Sequence, residues 1–357
     1  MTKINVMSPI NELGYGIAGY NVCKALHELG SEITLFPIGE PQLTEQSQAT
    51  LVQSLVNTQR EFDSSAPCLK IWHEFSMAER IGRGPLYAYP FFEINKFDDA
   101  RKNHLKSCDG IFVASDWANE IVCRELDGYS PENVHTVPLA VNSMMFSSSS
   151  TPKGDKCVFY NCGKWEVRKG HDILLGLFQK AFPSEEDVEL WMMCENPFLS
   201  PEETSRWKSY YSQDWRVKLL DRVASQENVA AIMSHATCGV FPSRAEGWNL
   251  ELLEMMALGK PVIATNYSAH TEFCNEDNCM LIEPSGTEKA EDGKWFHGEA
   301  EWASLKGTED QFVEYLRSVY KKWKDSDASL FNQAGVDKAK ELSWKNTGTK
   351  ILGVLNE

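Results

Sequence analysis

Phe241-Pro242-Ser243-Arg244-Ala245-Glu246-Gly247-Trp248-Asn249-Leu250-Glu251-Leu252-Leu253-Glu254-Met255-Met256-Ala257-Leu258-Gly259-Lys260-Pro261-Val262 is the stretch on which the reading of the fold turns. A strand ends at Pro242-Ser243, a loop carries Glu246 and Gly247, a helix opens near Asn249, and Gly259 closes it before a strand at 261–264. Strand, helix and strand in so short a span make a βαβ unit, which implies a parallel sheet. The helix mouth presents free backbone N–H groups and partial positive charge, so an anionic group is stabilised there. Gly247 lets a ligand approach the backbone closely. Glu254 lies five residues beyond Asn249, about 7 Å along the axis at about 1.5 Å per residue. That offset suits a diphosphate at the helix mouth with a sugar ring beyond it, while Glu246 on the loop side reaches a second sugar. The plainer reading is a surface helix with solvated glutamates, and of Glu251 and Glu254, three residues apart, either one fits it.

The same alternation extends in both directions. Toward the carboxyl end of the chain, strands are expected at 158–161, 188–193, 217–220 and 238–241. Helices are expected at 170–181, 225–234, 250–258, 309–324 and 330–342. In the first half, strands at 4–7, 33–36, 69–72, 86–89, 110–114 and 134–137 accompany helices at 17–29 and 117–126. Between the halves, Asn142–Asp155 contains Ser147-Ser148-Ser149-Ser150-Thr151-Pro152-Lys153-Gly154, the most linker-like stretch of the chain. Two α/β halves with a hinge between them form a cleft suited to small molecules.

A second cationic element follows the first strand after the linker: Asn161-Cys162-Gly163-Lys164-Trp165-Glu166-Val167-Arg168-Lys169-Gly170. Departure of a nucleoside diphosphate develops negative charge, and fixed cations favour that transition state. On its own this is equally well a solvated loop with three basic residues.

Glu246 and Glu254, separated by seven residues within Glu-Gly-x-x-Leu-x-x-x-Glu-x-x-Ala-x-Gly-x-Pro-Val, resemble the E-x7-E signature of retaining nucleotide-sugar glycosyltransferases with the GT-B fold, the family-4 type (glycosyl transferases group 1). The loop at 161–170 resembles the same family's phosphate clamp, with Lys164 and Lys169 as the matched cations and Arg168 as an additional candidate. The family often has Arg where Lys164 stands, and lysine supplies a point charge rather than a bidentate fork. Gly14-Tyr15-Gly16 resembles the family's glycine loop, and His73, after a strand, resembles the histidine that contacts the transferred sugar. Arg222 and Val223 sit where family members hold the base, and His270 and Glu272 are secondary candidates. A structural, hydrogen-bonded role for His73 is nearly as good a reading, with Glu74 solvated or its partner.

The resemblance implies an α/β fold of two Rossmann-like, doubly wound domains facing a cleft. Residues 1–145 are then the acceptor domain and 156–330 the nucleotide-sugar donor domain, with 331–357 a helix returning to the first. It implies a hexosyltransferase-like enzyme in which Glu246, Lys169, Lys164 and His73 act catalytically. Gly14, Gly16, Arg168, Arg222, Val223, Gly247, Trp248, Asn249, Leu250 and Glu254 bind the donor. Transfer is front-face and needs neither metal nor cofactor beyond the nucleotide sugar as co-substrate. The acceptor stays open among glycan, protein, lipid-linked sugar and modified nucleobase.

Other classes compete with this reading. Gly14, Gly16 and Gly19 spell G-x-G-x-x-G, so an NAD-type oxidoreductase must be weighed, with Glu40 past its strand as the acidic candidate. A two-carboxylate glycosidase leaves the lysine clamp unexplained. A non-catalytic nucleotide-sugar binding module predicts donor binding without turnover. No P-loop and no G-x-S-x-G nucleophile elbow occurs, and Asp98-Asp99 is not D-x-D.

Composition bounds the rest. In 357 residues, 42% hydrophobic content supports sizeable cores, and a net charge of −16 disfavours long polyanionic partners. The ten cysteines lack a dense pattern, and the start shows no signal-peptide arrangement, so a reduced, cytoplasmic setting without membrane spans is expected. Residues 276–305 match no motif and are expected to be an insertion near the cleft. Trp165, Trp191, Trp207 and Trp215 are expected to be core or edge aromatics rather than a stacking series.

Overall fold

A computed structural model describes residues 2–147 and 154–356. The chain divides into two compact units, Met1–Ala140 with Glu341–Glu357, and Val141–Lys340. Of the serine-rich stretch, residues 148–153 lie outside the described residues.

Unit 1 runs β1 (Lys3–Ser8), α1 (Gly14–Glu28), β2 (Glu32–Pro37), α2 (Gln46–Asn57), β3 (Cys68–Lys70), β4 (Leu86–Ala88), α3 (Asp99–Lys106), β5 (Gly110–Val113), α4 (Asp116–Glu125) and β6 (Val134–Thr136). The sheet order is β2-β1-β3-β4-β5-β6, parallel throughout. Ile4, Asn5 and Val6 are all buried, as both faces of a central parallel strand require. Helix α1 starts at Gly14, three residues before the expected position. A Cβ on Gly16 would lie 2.2 Å from Asn11 Oδ1, and one on Gly19 would lie 1.9 Å from Ser8 Oγ. The glycines therefore let the helix press against the turn after β1, which hid its first turn behind residues of poor helix propensity. Helices α2 and α3 were not expected, because their apolar spacing is sparse.

Unit 2 runs β7 (Cys157–Gly163), α5 (His171–Ala181), β8 (Val188–Cys194), α6 (Pro201–Tyr211), β9 (Val217–Leu219), α7 (Gln226–His235), β10 (Cys238–Phe241), α8 (Leu250–Ala257), β11 (Val262–Thr265), β12 (Met280–Ile282), β13 (Thr287–Lys289), β14 (Glu301–Ala303), α9 (Glu309–Lys324) and α10 (Gln333–Glu341). Its sheet order is β12-β11-β10-β7-β8-β9, again parallel throughout. Counted from β7, this is the doubly wound order 3-2-1-4-5-6. Phe312, Leu316, Val319 and Trp323 form one buried stripe of α9 and join a core that includes Phe159, Phe178 and Phe182. Helix α6 was also unexpected, although Ser200 and Glu203 form a capping box that marks its start in the sequence.

The region expected as one returning segment, 331–357, is two helices. Helix α10 lies almost wholly in unit 2, and α11 (Trp344–Leu355) belongs to unit 1. A Cβ on Gly348 would sit 3.2 Å from Ala25 Cβ, so α11 and α1 approach closely there. Thr347 Oγ1 donates to the Pro138 carbonyl at 2.9 Å. Among the described residues no helix is long and apolar enough to cross a membrane.

Candidate functional site

In a doubly wound sheet the strand order reverses at one point, and the loops leaving the two strands there diverge to opposite faces. In unit 2 that point lies between β7 and β10. The loops that flank it are 164–170 and 242–249, the two cationic and acidic stretches singled out in the sequence. Asn161, near the end of β7, spans the parting strands by donating through Nδ2 to the Val240 carbonyl at 2.7 Å.

Between these loops a compact ionic network forms. Glu246 Oε2 accepts from Arg168 Nη1 at 2.7 Å. Its Oε1 accepts from Lys169 Nζ at 2.9 Å and from Ser243 Oγ at 2.7 Å. Arg168 also donates through Nη2 to Glu166 Oε2 at 2.6 Å and through Nη1 to the Ala245 carbonyl at 2.7 Å. Lys164 Nζ stands 3.1 Å from Glu166 Oε1 and is the most exposed of the three cations. Three cations against two carboxylates leave one positive charge in excess. Burial opposes ionisation of Glu246, but Arg168 and Lys169 outweigh it and hold the carboxyl well below its usual range. Burial likewise works against the Lys169 ammonium, and Glu246 with Glu251 more than restores it.

Backbone geometry builds the cation loop. Gly163 adopts φ 138°, and a Cβ there would lie 3.0 Å from Lys169 Cε, so the lysine stem crosses where a side chain would stand. Gly170, left-handed at φ 73°, opens α5 against the Pro242 carbonyl, which a Cβ would meet at 2.1 Å. His171 accepts from the Glu166 N–H at Nδ1 (3.2 Å), and its Nε2 therefore donates to Asn161 Oδ1 at 2.9 Å. Burial, aided by the Lys169 charge, pushes its pKa down to about 3, so the ring is neutral.

The acidic loop is held from the other side. Ser268 Oγ accepts from the Glu246 N–H at 2.8 Å. Asn249 caps α8 in the left-handed conformation at φ 83°, its side chain accepting from the Leu252 N–H at 3.2 Å. Asparagine tolerates that conformation better than most residues. His270 fixes it: Nδ1 donates to the Thr265 carbonyl, and Nε2 accepts from Asn249 Nδ2, each at 2.9 Å. Gly247, Trp248 and Leu250 are buried around this turn. Trp248 packs on Phe273 with its Nε1 unpartnered.

Glu254 is a different case. It is buried in α8, and among the described residues nothing is hydrogen-bonded to its carboxyl. Burial, with Glu251 adding repulsion, pushes its pKa well up. The Cys162 thiol links the two places, since burial and the charges of Glu251 and Glu254 raise it to about 12 while Lys169 opposes them.

The remaining candidates lie elsewhere. Arg222 and Val223 follow β9, the edge strand two positions from the reversal point, and are half-buried. Gly14, Gly16 and His73 belong to unit 1, where β1 and β3 flank that sheet's own reversal. Tyr15 and His73 bring those two loops together, with ring centroids 4.7 Å apart, and His73 stacks on Phe75 at 5.0 Å. Gly14 faces open space. Glu74 is neither solvated nor simply a partner of His73: it is buried and accepts from Arg101 Nε at 2.8 Å. Sequence reasoning missed Ser243, Glu166, Asn161 and His171 as supporting residues. Their proximity to the matched motifs was the only signal, and their contacts are tertiary. Among the described residues no cluster of three or more His, Cys, Asp or Glu is placed to hold a metal ion.

Residues 156–292 match the family described as Glycosyl transferases group 1. An MMP alpha-(1->4)-mannosyltransferase of Mycolicibacterium hassiacum is 24% identical over 162 residues, which are 45% of this chain and 38% of that protein. The sucrose-phosphate synthase of Thermosynechococcus elongatus superposes with a TM-score of 0.74 at 14% identity, over 100% of this chain and 98% of its own. A glycosyltransferase from Rickettsia africae superposes at 0.72 and 13% identity, over 99% and 98%. Anabaena HepE, in complex with UDP and glucose, superposes at 0.72 and 14% identity, over 100% of both chains. The chain thus has the two-unit α/β fold of GT-B glycosyltransferases, and the group 1 match lies within its second unit.

Proposed function

We propose that the protein is a retaining glycosyltransferase that moves a sugar from a nucleotide-sugar donor to an acceptor hydroxyl. The observation that supports this most is the convergence, at one strand reversal, of Lys164, Arg168 and Lys169 with the amino end of α8. In this reading unit 2 is the donor domain and unit 1 the acceptor domain. The donor's diphosphate lies against Lys164, Lys169 and the N–H groups at Gly247–Leu250. An ammonium has three donors, and Glu246 takes one of those on Lys169. Negative charge grows on the diphosphate as the sugar–oxygen bond breaks, and cations already fixed by Glu246 and Glu166 stabilise it without reorganising. Glu246 orients the donor sugar through the cations it holds. Glu254 takes the ribose hydroxyls, and Arg222 and Val223 hold the base through backbone contacts. Gly14, Gly16 and His73 in unit 1 are assigned to the diphosphate and the transferred sugar. The acceptor attacks from the face that the diphosphate leaves, a phosphate oxygen takes its proton, and neither a protein base nor a metal is needed.

HepE was captured with UDP-glucose, so UDP-sugars are the first donors to try, with GDP-mannose beside them. A ligand that binds the native state raises its melting temperature, so a thermal-shift panel of these donors and NAD selects the co-substrate. With that donor and an acceptor screen, Lys169→Ala and Glu254→Ala are each expected to abolish most sugar transfer while circular dichroism stays native. NMR of the product is expected to show the donor's anomeric configuration. Full transfer by either variant, or an inverted product, defeats this reading.

A further inference from the structure

Residues 276–305, expected as an insertion near the cleft, build a feature that borders the cation loop. The segment between β13 and β14 folds over the outside of the cation loop. Asp292 Oδ1 accepts the N–H groups of Lys294, Trp295 and Phe296 at 2.7–2.9 Å, closing a tight loop. Lys294 Nζ then ties that loop to the start of α6, donating to Glu203 Oε2 at 2.7 Å and to the Phe198 carbonyl at 3.1 Å. The loop, α6, the first turn of α5 and residues 165–167 line an open pocket of about 410 Å³. Its wall includes Trp165 and Trp207, stacked at 5.6 Å and 9°, together with Tyr210 and Trp295. Trp165 is a core aromatic, as expected, and Trp207 stacks on it from the edge of that core.

We propose that this cavity is a second carbohydrate-binding site, which takes one neutral sugar ring of a glycan. Aromatic surface and paired carboxylates select that chemistry. The wall is aromatic, and electron-rich ring faces attract the weakly positive C–H face of a pyranose. Trp295 is 43% exposed at the mouth and meets the exposed Phe198 edge-to-face, so the aromatic surface continues outward as a chain of sugar units would need. The wall also holds carboxylates already matched by cations: Asp172 by Arg244, Glu203 by Lys294, and Glu166 by Lys164 and Arg168. Such groups keep spare lone pairs for hydroxyls. The size suits a pocket for one small polar ligand.

The test uses the whole chain and saturation-transfer NMR with methyl α-glucoside, methyl α-mannoside and maltotriose as probes, with and without UDP. At least one sugar is expected to bind in the millimolar range whether or not UDP is present. Its affinity should fall about tenfold or more in Trp295→Ala and in Trp207→Phe, about 1.4 kcal/mol. Trp295→Ala alters only an exposed loop residue, so its melting temperature and its UDP thermal shift should stay at wild-type values. Binding that survives in both variants overturns the proposal, as does the absence of binding by all three sugars. Tetramethylammonium or indole binding in place of the sugars, in a Trp295-dependent way, also overturns it. A failure of UDP to bind, with sugar binding intact, would count against the donor assignment alone.

Discussion

Glu246 and Glu254 stand eight positions apart on one loop–helix segment, and both are almost hidden from solvent, at 4% and 6% exposure. Their surroundings drive them in opposite directions. Glu246 leaves the sheet at the strand reversal, where the adjoining loop delivers two cations, and it stays ionised. Glu254, on the next helix, pairs with no cation among the described residues and has Glu251 for a charged neighbour, so burial and that repulsion push its carboxyl well up. Burial of a carboxyl therefore does not decide its state; the partner supplied by the crossing loop does. In its protonated form Glu254 offers both a donor and an acceptor, which suits a pair of sugar hydroxyls.

The comparison breaks most visibly if the pairing around Glu246 is removed. Arg168→Met leaves two buried carboxylates short of a cation and is expected to cost about 3–5 kcal/mol in urea unfolding. A loss below about 1 kcal/mol would mean that the ionised site is no more dependent on its partners than Glu254 is. Next in size is Gly163→Ala, which forces a Cβ onto the Lys169 stem at φ 138° and is expected to cost about 1–3 kcal/mol. Calorimetry on that variant should also show a weaker response to UDP, because the displaced ammonium no longer sits beside Glu246.

Titration sharpens the contrast further. His171 is neutral in the fold and titrates near 6.5 when unfolded, so its contribution is complete above pH 6.5 and is lost as pH falls toward about 3. His171→Asn should flatten the fall in stability between pH 6.5 and 4.5. Glu246, depressed in the fold, adds a loss that begins only as pH drops through the ordinary carboxylate range. Glu254 is raised, so its stabilisation is present below its unfolded pKa and is lost as pH climbs through its folded value. Glu254→Gln imitates the protonated form and is expected to change stability by less than about 0.5 kcal/mol near pH 4. The variant should then gain on the wild type as pH rises. A flat difference across that range would remove the distinction between the two acids.

Much of unit 2 was legible from short apolar runs separated by helical spacing. Strands at 158–161, 188–193 and 238–241 fall inside β7, β8 and β10. Elements with polar faces escaped notice: α3 and α6 carry few apolar residues, and side-chain caps at Asp98 and Ser200 start them. In unit 1 the glycines that read as a loop became the first turn of α1, since packing on Ser8 and Asn11 outweighs weak propensity. The candidate residues of the 164–170 and 242–249 loops were readable because motif and topology coincide there. Their supporting contacts were not, because Ser268 and His270 reach Glu246 and Asn249 from a turn some twenty residues away.

The order of residues alone determined two parallel α/β halves and the two loops carrying the cations and the acids, because hydrophobic periodicity and breakers are local properties. Tertiary structure alone decided which acid is ionised, which cation is shared, and that the segment between β13 and β14 lines an aromatic pocket. Those outcomes depend on distances between groups far apart in the chain, and electrostatic and stacking energies follow distance in space rather than position in sequence.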